Sequence, residues 1–198
     1  MPVDVEALGC DFLSATARKY LRGPRGAGFL YVSDRVLQRG LEPLFIDMRG
    51  AEWIAEDRYR AAPDAKRFET WEFAWALVLA MGEAARYAAG IGLDPIRARI
   101  GTLAVRLRAA LGEVDGVRVL DRGPTLCGIV SVAVDGRVPS DLMAALRARR
   151  INTTAQTRVS ALIDNDTKGV TSSLRFSPHY YNTDAEIDLA VAALRDLV

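Results

Sequence analysis

Cysteine, histidine and net charge are all scarce in this chain. Two cysteines, Cys10 and Cys127, and one histidine, His179, occur in 198 residues. Two cysteines so far apart make neither a disulfide framework nor a metal-ligand spacing, so a reducing, cytoplasmic setting is expected. Lysine and arginine number 26 against 25 aspartate and glutamate, for a formal charge of +1. That balance argues against a nucleic-acid surface as the main role; the local cluster Arg147, Arg149 and Arg150 reads as a solvated helix end. Long apolar runs are missing too. The longest, Phe73 to Met81, is far too short to cross a bilayer, so no membrane span is expected. The opening Met-Pro-Val-Asp-Val-Glu is acidic and lacks the apolar region of a signal peptide. No internal repeat or low-complexity segment is visible. Hydrophobic residues nevertheless make up 50% of the chain, enough for a real core in one or two domains.

The densest signal lies near the start. Phe12-Leu13 and Phe29-Leu30-Tyr31-Val32 read as strands, and between them stand Lys19 and the glycine-rich turn Gly23-Pro24-Arg25-Gly26-Ala27-Gly28. Glycines allow close backbone approach to a ligand, and a lysine in such a crevice can lose its proton and attack a carbonyl. On spacing alone a surface lysine in a plain tight turn is the more ordinary reading.

Further along, Asp34 is expected to cap a short helix ended by Gly40, Leu44-Phe45-Ile46 to be extended, and residues 49–69 to be irregular. Thr70 reads as the cap of a helix carrying Trp71, Trp75, Leu77, Val78, Met81, Ala85 and Ala88 and stopped at Gly90-Ile91-Gly92. Asp94-Pro95 opens a second helix with Ile96, Ile100, Leu103, Leu107 and Leu111 on one face. From Val117 the period shortens. Strands are predicted at Val117–Leu120, Cys127–Val134, Ile151–Thr154 and Ser173–Ser177, with a helix capped by Ser140 and a closing helix after Asn182-Thr183-Asp184. Two domains follow: residues 1–92, whose strands lack a sheet of their own, and residues 93–198, a small α+β domain with helices on one face of a mostly antiparallel sheet.

Asp11-Phe12, Arg18-Lys19 and Gly23-Pro24-x-Gly26-x-Gly28 before an aliphatic strand resemble the cofactor-lysine region of the class V aminotransferase family, pyridoxal-phosphate enzymes that include cysteine desulfurases and isopenicillin N epimerase-like proteins. Leu174-Arg175-Phe176-Ser177-Pro178-His179-Tyr180-Tyr181-Asn182-Thr183 is similar to that family's carboxylate-arginine strand and the helix start after it. The resemblance implies an α/β fold, the C-terminal part of a fold-type I pyridoxal-phosphate transferase, with a remnant of the large-domain sheet plus a small α+β domain. It implies Lys19 as the Schiff-base lysine, Arg18, Gly26 and Thr70 beside the cofactor, and Arg175 as the clamp on the substrate carboxylate. Thr70 alone reads as a plain N-cap, and His179 as a packing residue of the turn before the last helix. Resemblance further implies pyridoxal 5'-phosphate, an amino-acid substrate, and a homodimer or a separate N-terminal half as partner. The reaction would be of aminotransferase, epimerase or C–S lyase type; the alternative is a non-catalytic remnant or interaction subunit. The resemblance to cysteine desulfurases would imply a mobile-loop cysteine before the carboxylate arginine; residues Asn152 to Val170 hold none and both cysteines fall on predicted strands, so desulfurase chemistry is not expected.

Overall fold

A computed structural model describes residues 3–198, which form two compact units, one running to Leu93 and the other Asp94–Val198. In the first, Asp4 caps the short helix α1 (Val5–Leu8). Strands β1 (Phe12–Thr16) and β2 (Gly28–Val32) pair antiparallel, Phe12 opposite Val32 and Thr16 opposite Gly28. Helix α2 (Asp34–Gln38) is capped by Ser33, one residue earlier than expected, because the Ser33 hydroxyl accepts the Val36 amide and donates to Asp11. Leu44-Phe45-Ile46 forms no strand.

Residues 49–69 differ more from expectation. They hold a hairpin, β3 (Ala51–Ala55) and β4 (Arg58–Ala61), followed by a 3-10 turn at Ala65–Phe68. Both hairpin faces are largely solvated, so the alternation that betrays a half-buried strand is absent from its sequence. Helix α3 spans Trp75–Ile91 with Ala74 at its cap, so Thr70 and Trp71 precede the helix rather than start it. Hydrophobic burial in this unit is thin: among its described hydrophobic residues only Ala17, Val32, Val36 and Ala88 are buried, whereas Leu44 is 90% and Phe45 88% exposed. Polar fastening substitutes for a core. The buried Arg67 guanidinium donates to the carbonyls of Ala62 (2.8 Å) and Leu41 (3.1 Å), tying together loops that share little apolar surface.

The second unit is built the other way. Helix α4 (Leu93–Gly112) leads to β5 (Val117–Val119), β6 (Val130–Val134), α5 (Pro139–Ala148), β7 (Thr154–Thr157), α6 (Leu162–Lys168), β8 (Ser172–Phe176) and α7 (Asp184–Arg195). The four strands form one antiparallel sheet in the order β5-β6-β8-β7. Alternation along β6 and β8 sends Val130, Val132, Val134, Leu174 and Phe176 into a core with Leu103, Leu107 and Leu111 of α4, Leu142 and Leu146 of α5, and Ile187, Val191 and Leu194 of α7. Ser131, Ser173 and Arg175 are left on the opposite face. Two strand limits shift from expectation: β6 begins at Val130 rather than Cys127, and β7 at Thr154 rather than Ile151. Helix α5 starts on Pro139, whose fixed φ suits a first helical position, and not on a Ser140 cap.

Asn182-Thr183 begins the last helix as the sequence indicates. Thr183 Oγ1 accepts the Glu186 amide at 3.2 Å and the Glu186 carboxylate accepts the Thr183 amide at 2.8 Å, a closed capping box. The Thr183 amide, then the Asn182 side-chain amide, hold the Glu186 carboxyl below its ordinary range. A lowered carboxyl stabilises the fold above its unfolded value of 4.5 and stops doing so as pH falls through the lower folded value. Glu186→Gln is therefore expected to flatten the acid limb of a stability-versus-pH curve below that value, read by urea midpoints; an unchanged slope would refute the assignment. The uneven cores give a second expectation. Amide exchange should be slow across Val130–Val134, Ser172–Phe176 and α7, and fast across Leu44–Ala61. Uniform protection of both stretches would show that Arg67 and its like stabilise as much as the apolar core.

Candidate functional site

Lys19 follows β1 in a tight turn. The Arg22 amide donates to the Lys19 carbonyl (2.9 Å) and the Gly23 amide to the Ala17 carbonyl (2.8 Å), with Arg22 held at the unusual positive φ of 62°. Ala17 is fully buried beneath this turn, while Arg18 and Lys19 are exposed and no ion pair holds either among the described residues. Arg22 lies over the Tyr87 ring of α3 at 5.6 Å. Gly26 has φ 84°, and a β-carbon there would meet Leu77 Cδ1 at 3.2 Å. A β-carbon on Gly28 would lie 2.5 Å from the Ala15 carbonyl oxygen, so the β1–β2 ribbon closes this tightly only with glycine at that place. Arg18, Lys19 and Gly26 thus share one connection seated on α3. Thr70 belongs to the same unit but caps no helix: its hydroxyl donates to the Glu72 carbonyl (3.3 Å), between Glu69, which pairs with Arg49, and Phe73, over which the Arg49 guanidinium lies at 5.0 Å.

Arg175 belongs to the second unit. It sits in β8 opposite Ser131 of β6 and Thr154 of β7, on the face away from the core. Its guanidinium has no hydrogen bond or ion pair among the described residues, and its Nε is shut off from solvent without a partner. A buried guanidinium nitrogen left unsatisfied is costly. Around it lies a cleft of about 340 Å³, within the ordinary size of small-molecule sites.

Long-range contacts shape that cleft. Arg108 of α4 and Asp121 pair at 2.7 Å, with only 12% and 10% of the side chains exposed. Arg108 Nη2 also donates to the carbonyls of Cys127 (2.5 Å) and Ile129 (2.8 Å), and Asp121 accepts the Ser131 amide at 3.1 Å. These bonds fasten the loop 120–129 to the sheet beside Arg175. On the other side Asn165 of α6, nearly buried, donates to the Thr157 carbonyl (3.2 Å), and Lys168 pairs with Asp164 at 2.7 Å. None of Arg108, Asp121, Arg122, Asn165 and Lys168 stands out in the sequence, since nothing local joins positions so far apart. Cys127 corrects its predicted strand: it is exposed in the loop and lines the cleft. Cys10 likewise precedes β1 rather than starting it. His179 packs as expected, stacked on Tyr181 at 4.8 Å with Nδ1 accepting the Tyr180 amide.

Among the described residues, no group of histidine, cysteine and carboxylate could hold a metal, and no single helix is long and apolar enough to cross a membrane. The chain matches the aminotransferase class-V family over residues 1–190, and it belongs to that family. Similar relatives include a probable cysteine desulfurase of Methanothermobacter thermautotrophicus, 30% identical across 100% of this chain and 50% of that one, and another of Halobacterium salinarum, 33% identical across 97% and 46%. The apo cysteine desulfurase of Thermococcus onnurineus NA1 superimposes with a TM-score of 0.87 at 28% identity, over 98% of this chain and 48% of that one. A C-DES mutant with glycine linked to its PLP cofactor shares the fold with a TM-score of 0.82 at 23% identity, over 99% and 48%. The fold is thus that of fold-type I pyridoxal-phosphate enzymes. The chain spans about half the length of the curated relatives it matches.

Asp121→Ala is expected to leave Arg108 as an uncompensated, largely buried charge, costing about 3 kcal/mol in a urea unfolding experiment. A loss under ~0.5 kcal/mol, the range of ordinary surface changes, would show that the pair does not hold the loop.

Proposed function

We propose that this chain supplies the cofactor lysine and the substrate-carboxylate arginine of a pyridoxal-phosphate enzyme acting on an amino acid. The observation carrying this reading is the Arg175 guanidinium, partly buried and unpaired in a cleft of amino-acid size. Its planar fork matches a carboxylate through two parallel hydrogen bonds, which an ammonium cannot reproduce. Lys19 fits the second role because its amine is exposed and bound in no ion pair among the described residues, whereas Lys168 is held by Asp164.

Lys19 Nζ would hold the cofactor and would then carry the proton taken from the substrate α-carbon. Arg18, the Gly26 turn and the Thr70 hydroxyl would lie beside the cofactor. Pyridoxal phosphate, when bound, supplies the electron sink for the bond that breaks. The reaction is of aminotransferase, epimerase or C–S lyase type. The relatives' name, cysteine desulfurase, favours C–S cleavage, and Cys127 gives the Arg175 cleft the one thiol of its unit. Exposed Leu44, Phe45, Met48 and Trp53 call for a covering surface, from a second copy or from a separate N-terminal half. The setting is cytoplasmic.

Borohydride reduction of the chain with pyridoxal phosphate, followed by peptide mapping, is expected to place the label on Lys19 and to lose it in Lys19→Ala. Label on Lys66 or Lys168 instead would overturn the assignment. Arg175→Lys is expected to weaken amino-acid binding by roughly ten- to hundredfold, one charge-assisted contact, while sparing cofactor labelling. Unchanged amino-acid affinity would remove Arg175 from the site.

A further inference from the structure

The cleft around Arg175 has an uneven charge balance. Four cations line it, Arg108, Arg122, Lys168 and Arg175, with two anions, Asp121 and Asp164. Each anion is already taken at 2.7 Å: Asp121 by Arg108, Asp164 by Lys168. Arg122 and Arg175 are left without a carboxylate among the described residues. Arg122 is not loosely placed, since its Nη1 donates to the Thr167 carbonyl at 3.0 Å, which leaves Nε and Nη2 for a second acceptor. The loop that carries it is fastened by the Arg108–Asp121 pair, so its position is built into the fold.

Resting on the proposal that Arg175 takes the substrate α-carboxylate, we infer that Arg122 takes a second anionic group on the same substrate, so that the preferred amino acid carries an acidic side chain. Both guanidinium groups line the same cleft, so a dianion of matching length can meet both, whereas a monocarboxylate meets only one. Selectivity for dianions then arises from the added charge-assisted contact.

The test uses the full chain labelled with nitrogen-15, titrated at fixed ionic strength with propionate, succinate and inorganic phosphate while the Arg175 Nε–H resonance is followed. That resonance is assigned by its loss in Arg175→Gln. Succinate is expected to bind about tenfold or more tightly than propionate, the effect of one further charge-assisted contact, and Arg122→Gln is expected to abolish that advantage while leaving propionate unchanged. If propionate and succinate move the resonance equally and Arg122→Gln changes neither, the second-anion role is overturned while the carboxylate role of Arg175 stands. If Arg122→Gln weakens phosphate alone, Arg122 serves a phosphate and the inference fails. If no carboxylate moves the resonance, both readings fail together.

Discussion

The Arg108–Asp121 ion pair is the contact on which the second unit's site depends. It joins helix α4 to the loop 120–129, and through the carbonyls of Cys127 and Ile129 and the amide of Ser131 it fixes that loop against β6. Without it, Arg122 and Cys127 would sit on an unanchored loop rather than beside Arg175. A pair so little exposed adds small net stability relative to apolar residues, because desolvation offsets most of the attraction. Its value here is positional: it converts an exposed turn into one wall of a cleft.

A contrast in how the two units are held runs through the molecule. The second unit buries leucines and valines from three helices against two strands, so its polar sheet face rests on a rigid layer. Arg175 is therefore carried by one of the best-packed strands in the chain, between buried Leu174 and Phe176. The first unit relies on short antiparallel ribbons, a buried arginine on backbone carbonyls, and a ribbon closed by Gly28. Two-stranded ribbons are marginal without further burial. Its exposed aromatic and aliphatic side chains fit a chain that spans about half the length of its relatives.

Much of the second unit was legible in the sequence. The i, i+3, i+4 spacing of Ile100, Leu103, Leu107 and Leu111, and the β-branched run Val130–Val134, announce elements whose burial is one-sided. The β3–β4 hairpin was not legible because neither of its faces is buried, so its residues carry no alternation. Thr70 misled for a related reason. A threonine before an apolar stretch satisfies the rule for a helix cap, but Arg49 takes Glu69 and lies over Phe73 and Trp75, and the segment up to Ala74 stays out of the helix.

Local order determined the family, through the spacing of Arg18-Lys19 to the Gly23–Gly28 turn and through the strand around Arg175, because such motifs are read within a dozen neighbouring residues. It also determined the closing helix, whose capping box lies within four residues. Tertiary structure alone decided that Arg175 stands unpaired, that Cys127 lines its cleft, and that Arg122 is a second cation there without a carboxylate. Which carboxylate neutralises which guanidinium depends on groups 13 residues apart for Arg108 and Asp121, and on a sheet that brings β6, β7 and β8 side by side. Charge partnership is a property of distance in space, which falls steeply with separation, and the order of residues does not contain it.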